Sequence, residues 1–514
     1  MTADLVLINA NVRTMNPLQP FAQAVAIKKN LILKVGTNQE IRTLIGKNTK
    51  VISLDGKTVV PGLIDTHIHL ADFGRCIMWL DLSGADSIKT LQTLLKEKAK
   101  QTPSGKWIVG RGWNENNLVE KRLLTIGDLD AVAPNNPVIL YHGAAYACAV
   151  NSKALAQAGV TSKTPAPSGG TIDKTAIGEL TGIFRGSATN LVWQVVGEPS
   201  LEELADATVM ACQKVVESGI TSVDWIILQE NELAIIQTLN KQGKLSLRVN
   251  VVVPYELIKS VAGFTSNNPL WLRLGGAIIF VDGYLDSKTA ALTQPYSDDP
   301  NNSGKILCTQ KQLVGWLAQV LALNLQPVIH AMGDKAVDTA LSVIEHSDKK
   351  VRFRIEQAAV LNRELVKRLE VQDVVVSVQP KMIPTEFGVW SATDHLGIER
   401  AKWLHPLKTL LNEGVKVAGG SDCPMEPLNP LLGMQEAVAR ESYPEQRLSV
   451  EEALRMYTLD AAYSSGEENI KGSIEEGKLA DFTILSADPN AVKPKKIKEI
   501  KVEMTIIDGK IITL

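Results

Sequence analysis

Cysteine is scarce and unpatterned in this chain: Cys76, Cys148, Cys212, Cys308 and Cys423 are the only five in 514 residues. An odd count without Cys-x-x-Cys spacing disfavours a disulfide framework and a thiolate metal centre, so any bound metal is expected on nitrogen and oxygen ligands. A dominant charge is missing too. The 54 basic and 56 acidic residues leave a formal charge of −2, and the short basic stretch Lys493 to Lys501 reads as a solvated connection. Neither nucleic acid nor an anionic membrane surface is expected as a partner. No uninterrupted apolar run reaches the length of a membrane span. The start Met1-Thr2-Ala3-Asp4-Leu5 lacks the charged and apolar regions of a secretory signal, so a soluble, cytoplasmic protein is expected. Finally, no Gly-x-Gly-x-x-Gly turn occurs, which weakens an open, doubly wound dinucleotide-binding sheet.

What is present suits a large α/β catalytic domain with an accessory module. Hydrophobic residues make up 45%, enough for a sizeable core. Residues 1–57 read as short strands and tight turns, Leu5–Ile8, Ala24–Ile27, Ile32–Val35 and Val51–Leu54. The far end repeats this texture at Asp481–Leu485, Val502–Ile507 and Ile511–Ile512. Two incomplete β pieces at opposite ends imply one small β-sandwich built from 1–57 and 472–514, with a catalytic domain over 58–471 between them. The centre alternates apolar runs with helical patterns. Runs at Ile220–Ile227, Arg248–Val253, Gly276–Val281, Pro327–His330, Arg352–Ile355, Val374–Val378 and Val415–Ala418 follow the one ending at His67. Eight strands with intervening helices predict a (β/α)8, TIM-like barrel. Residues 72–200 are too long for a connection and are expected to form an inserted lid subdomain over the barrel mouth.

Barrel active sites lie at the C-terminal ends of the strands, so polar residues ending the runs are the candidates. The first run ends in His67-Ile68-His69, whose i, i+2 spacing turns both imidazoles to one face, where they can grip one metal ion. The fifth ends in His330 and the eighth in Gly420-Ser421-Asp422. Three imidazoles and a carboxylate at one mouth make a hydrolytic metal site with room for water. Zinc is the default ion, with manganese, iron or cobalt also compatible. Asp422 is expected to act as general base toward metal-activated water.

The motifs Pro61-Gly62-Leu63-Ile64-Asp65-Thr66-His67-Ile68-His69, Gly110-Arg111-Gly112-Trp113-Asn114, Asn151-Ser152-Lys153-Ala154-Leu155, Asp282-Gly283, His330-Ala331-Met332-Gly333-Asp334, Gly420-Ser421-Asp422 and Gly477-Lys478-Leu479-Ala480-Asp481 carry a resemblance. Together with Thr289-Ala290-Ala291-Leu292 and Gly472-Ser473-Ile474, they make the chain resemble the amidohydrolase superfamily nearly end to end, in the branch that includes N-substituted formamide deformylase. The departures are as informative. Where family members commonly place a carbamylated lysine that bridges two metals, this chain has Ile278. The sixth strand usually ends in histidine, and here Gln357 stands in its place. A histidine often found before the Asn-Ser pair is replaced by Tyr146. The resemblance, with these losses, implies a single divalent ion, with His67, His69, His330 and Asp422 as its ligands.

Lys381, after the seventh strand, is expected to stabilise a developing oxyanion or pair with a substrate acid. Gln357, His142, Tyr146, Trp113 and Asp286 are the expected substrate contacts. The expected activity is hydrolysis of a non-peptide carbon–nitrogen bond, an amide or cyclic amide, in a small molecule. Hydrolytic deamination is the alternative within the superfamily, lowered by the missing sixth-strand histidine. A barrel that binds or regulates without turnover is a third reading, opposed by retention of all four ligand candidates. The resemblance also implies a homodimer.

Overall fold

The computed structural model describes residues 1–143, 147–347 and 350–513. The chain divides into two compact units, Met1–Phe73 with Val209–Leu514, and Gly74–Thr208.

In the larger unit, eight parallel strands lie in the order Leu63–Ile68, Ile220–Ile226, Arg248–Pro254, Leu272–Phe280, Gln326–Ala331, Arg354–Gln357, Val375–Val378 and Val417–Gly419. Most of their residues are buried, the mark of parallel strands covered on both faces. The first and last strands meet through backbone bonds just beyond their ends: the Asp422 N–H donates to His67 O at 2.7 Å, and the His69 N–H to Cys423 O at 2.9 Å. The seam of the TIM-like barrel is therefore made of candidate site residues. Gly420 permits this close approach. A Cβ there would stand 2.7 Å from His67 N and 2.8 Å from His67 Cβ.

Helices return between strands where caps allow. Gln310–Ala322 starts at a capping box in which Thr309 and Gln312 satisfy each other's backbone N–H, and Arg363–Val371 starts at Asn362, whose side chain accepts the Leu365 N–H. Inside the barrel, Ile226, Val252, Ile278 and Val328 form an aliphatic layer. Position 278 thus packs among carbon side chains and offers no ligand atom.

Two further sheets of this unit lie outside the barrel strands. One has four strands: Leu31–Gly36, Ala24–Lys28, Leu5–Ile8 and Lys50–Ser53. The other has six and mixes both termini, since Thr58–Pro61 pairs antiparallel with Phe482–Leu485. Leu7, Val25, Ile27, Val59, Phe482 and Ile506 share one core between them. Arg248, at the start of the third barrel strand, ties this module to the barrel. Its Nε donates to Asp481 Oδ2 at 2.6 Å and its Nη2 to Asp481 Oδ1 at 3.0 Å, both side chains being buried.

The smaller unit carries a six-stranded sheet in the order Gly170–Lys174, Leu180–Gly186, Ala147–Val150, Val138–His142, Ile108–Trp113 and Leu80–Asp81. The helix Ile88–Gln101 buries Ile88, Leu91 and Leu95 in a core shared with Ile108, Trp113 and Leu140.

Candidate metal centre

His67 and His69 end the first barrel strand, and Asp422 follows the eighth across the seam. One ligand atom from each lies within 4.8 Å of the others, and all three residues are buried. Among the described residues this is the one such group of histidine, cysteine or carboxylate side chains. His67 Nδ1 sits 2.8 Å from Glu356 Oε2, and its Nε2 faces Asp422 Oδ1 at 3.5 Å. His69 Nδ1 donates to Ile226 O at 2.8 Å, and its Nε2 faces the same Asp422 oxygen at 3.1 Å. A carbonyl only accepts, so the proton of His69 belongs on Nδ1 and its Nε2 lone pair is turned inward. Two inward nitrogens aimed at one carboxylate oxygen need either extra protons or a cation between them. The donor set, two imidazole nitrogens and a carboxylate oxygen, fits a borderline divalent ion.

Electrostatics agree with that reading. Burial acts to raise Asp422, but His67 and the hydrogen bond from His69 override it and hold the carboxyl below its usual range. Burial acts to lower His69, and the hydrogen bond to Asp422 more than compensates. Asp422 adopts a left-handed backbone, φ 57°, which aspartate tolerates better than most residues. Asp65 braces the turn by accepting the Ser421 N–H at 2.8 Å and the His67 N–H at 3.1 Å.

Behind the ligands runs a buried chain of charge. Glu356 meets His67 with one oxygen and the Arg354 guanidinium with the other. Arg354, fully enclosed, also donates to Asp224 and to the Thr66 carbonyl. Asn250 Nδ2 donates to Asp224 Oδ1 at 2.9 Å. Burial opposes ionisation of Glu356, but Arg354 and His67 pull its pKa down to about 2, so it is a carboxylate that requires a hydrogen on His67 Nδ1.

His330, the expected fourth ligand, is not within the convergent trio. It lies 1% exposed at the end of the fifth strand, and neither ring nitrogen has a hydrogen-bond partner. Phe280 and Tyr284 pack on its ring at 5.0 and 5.1 Å. Burial, then the charge of His67, pushes its pKa down to about 4, which leaves it neutral. Further unpartnered buried atoms end the sixth and seventh strands: Gln357 Oε1, both amide atoms of Gln379, and Lys381 Nζ. Gln357 and Ala358 also carry positive φ, 72° and 41°, and such strain on non-glycine residues persists where surrounding structure imposes it. Lys381 is pushed down to about 8 by burial, with the charge of Asp65 opposing.

Of the remaining expected contacts, Trp113 and His142 belong to the smaller unit. Trp113 is corrected to a packing role, because its indole is fully enclosed in the smaller unit's core and its Nε1 donates to Leu140 O at 2.9 Å. His142, in the same unit, places Nε2 3.0 Å from Glu115 Oε2 and its ring against Trp113. Asp286 is exposed on the loop after the fourth strand and accepts the Ser287 N–H at 2.7 Å. Tyr146 lies outside the described residues.

A model of the amidohydrolase family matches residues 50–513. The chain belongs to the amidohydrolase family. YtcJ of Bacillus subtilis, itself assigned to the amidohydrolases, is 34% identical over 507 residues, spanning 95% of this chain and 96% of its own. An N-substituted formamide deformylase of Arthrobacter pascens is 28% identical over 535 residues, 98% and 97% of the two chains. The crystal structure of an uncharacterized metal-dependent hydrolase from Pyrococcus furiosus superimposes with a TM-score of 0.77 at 29% identity, covering 95% of this chain and 99% of that one. This amidohydrolase is accordingly a hydrolase of carbon–nitrogen bonds on a TIM-like barrel. Among the described residues no helix is long and apolar enough to cross a membrane.

Sequence reasoning passed over Glu356, Arg354, Asp224, Gln379 and Tyr284 in this amidohydrolase. A signal existed for the first three, since each is a charged residue inside a run that otherwise reads as a buried strand. Tyr284, in the loop after the fourth strand, had none.

Proposed function

We propose that this amidohydrolase uses one divalent ion to hydrolyse a non-peptide amide or cyclic amide bond in a small molecule. The observation that carries the reading is the convergence of His67, His69 and Asp422 beside unpartnered buried polar atoms of His330, Gln357, Gln379 and Lys381. Buried polar atoms are costly unless something meets them, and a metal ion with its substrate would meet these. His67, His69 and Asp422, with His330 completing the set, would hold the ion, zinc being the default. Such an ion supplies Lewis acidity toward a carbonyl oxygen and toward water. Ile278 and Gln357 supply no ligands for a second one.

The chain's own groups divide the remaining work. Asp422 takes the proton from the attacking water and returns it to the leaving nitrogen. Lys381, as an ammonium, donates to the oxygen that gains charge. Gln357 and Gln379 offer both donors and acceptors to an amide edge. Asp286 and His142 stand as outer substrate contacts. The reading also takes residues 1–57 with 472–514 as a composite sandwich, 58–471 as the catalytic barrel, and 72–200 as a lid that selects substrate, in a cytoplasmic homodimer.

A panel of N-formyl, cyclic amide and carbamate compounds, offered to zinc-loaded protein, tests this reading. Release of amine and acid is expected from at least one compound, and Asp422→Asn is expected to lower that rate by roughly two to four orders of magnitude. Ammonia release from amino-heterocycles, with every amide untouched, would replace the proposal by hydrolytic deamination.

A further inference from the structure

The unit Gly74–Thr208 holds a cavity of about 540 Å³ that the hydrolytic reading does not use. Trp79, Tyr141 and Trp193 wall it. The Trp79 and Tyr141 rings are nearly parallel, at 17° and 6.2 Å between centroids. Trp193 stands across both, at 75° and 5.9 Å from Trp79 and at 72° and 5.8 Å from Tyr141. The three rings come from separate segments, and their incomplete burial contrasts with the wholly enclosed Trp113 and Phe184 of the same unit. Trp193 retains 36% of its surface.

Four of the polar groups at this cavity share a character. Among the described residues, the indole N–H groups of Trp79 and Trp193 and the Tyr141 hydroxyl make no hydrogen bond, and the Arg111 guanidinium makes neither a hydrogen bond nor a salt bridge. All four can donate, and one of them is a permanent cation. Asp81, the acidic residue of the wall, already accepts the Ser83 N–H at 2.9 Å. That bond holds its carboxyl below the usual range, and the charge of Arg111 adds to the effect. Gly112 makes the arrangement possible: its φ is +97°, and a Cβ there would lie 2.9 Å from Ser83 N. The strand bearing Arg111 can thus lie against the strand Leu80–Asp81 and the turn at Ser83 that follows it.

We propose that this cavity binds a small planar aryl carboxylate. Trp79 and Tyr141 stack on each other with Trp193 edge-on to both, so the ring packs on the open side of this aromatic cluster, and the carboxylate takes the two-pronged guanidinium of Arg111. With Asp81 engaged by Ser83, the exposed Arg111 guanidinium is the charge left to pair with a ligand, and a carboxylate takes it where an organic cation or a neutral ring does not.

The test titrates full-length protein with benzoate, following tryptophan fluorescence, in the presence and absence of a chelator. Benzoate is expected to quench and saturate equally in both, since the cavity requires nothing from His67, His69 or Asp422. Cyclohexanecarboxylate, with the charge but no flat ring, and benzyl alcohol, with the ring but no charge, are each expected to bind about tenfold more weakly or worse. Arg111→Gln is expected to weaken benzoate by about 10- to 100-fold and leave benzyl alcohol unchanged. Trp193→Ala is expected to weaken both, and Trp193→Phe, which keeps a ring in place, to restore them. Failure of benzoate to quench would overturn the proposal, as would Arg111→Gln protein that binds benzoate as tightly as the native chain, or binding that disappears with the chelator.

Discussion

A histidine binds a metal through one nitrogen only if its proton is fixed on the other, and Glu356 does this for His67. The carboxylate is held ionised by Arg354 and faces Nδ1 at 2.8 Å, so Nε2 is free to ligate. Glu356→Gln keeps the shape but lets Nδ1 act as acceptor from the amide. Metal affinity, read by competition with a chromophoric chelator, is expected to fall by about 10- to 100-fold in this variant, with the melting temperature of the metal-free protein changing far less than in Arg354→Met. Lys381 makes a prediction in pH. Burial lowers its pKa to about 8, so the ammonium is present below that pH and lost as pH rises through it. If the charged form stabilises the oxyanion, the rate declines on the alkaline side with a midpoint near 8. Lys381→Arg, which stays charged, should move that limb to higher pH.

At the scale of elements, the seam between the first and eighth strands decides whether the site exists. Gly420→Ala would drive a methyl into the backbone of His67, a clash that neither strand can relieve by moving a side chain. Overpacking of this sort costs about 1–3 kcal/mol. The variant is expected to fold with reduced stability and to lose metal more than it loses structure, as urea unfolding and metal analysis on the same sample would report. The strand ends themselves were legible because buried parallel strands read as apolar runs, and His67 with His69, His330, and Asp422 lie at the ends of three of them. The buried charges were not, because Asp224, Arg354 and Glu356 find partners on strands far apart in sequence, and local periodicity holds no record of that. Distance escaped for the same reason. His330 could be placed at a strand end, but its separation from the trio depends on how eight strands tilt around an axis. Trp113 misled because an aromatic in a glycine-rich segment resembles a binding residue until its indole N–H is seen to belong to Leu140.

In the whole molecule, a barrel whose seam carries the candidate metal centre adjoins a terminal module built from both ends of the chain. Thr58–Pro61 leads directly into the first barrel strand and pairs with Phe482–Leu485 from the far end, while Arg248 fastens the third strand to Asp481. The strand that ends in His67 and His69 is thus anchored at its start by the module and at its end by the seam. Composition, turn texture and strand count made this two-part architecture legible, whereas the tie between Arg248 and Asp481 spans too much sequence to be read locally. The central claim is the number of ions this architecture holds, since Ile278 lies in an aliphatic layer and Gln357 replaces an imidazole. Metal analysis of the purified chain under replete conditions measures it. The account predicts about one equivalent of divalent metal per chain, lost in His67→Ala and Asp422→Ala; two equivalents, or none, would contradict it.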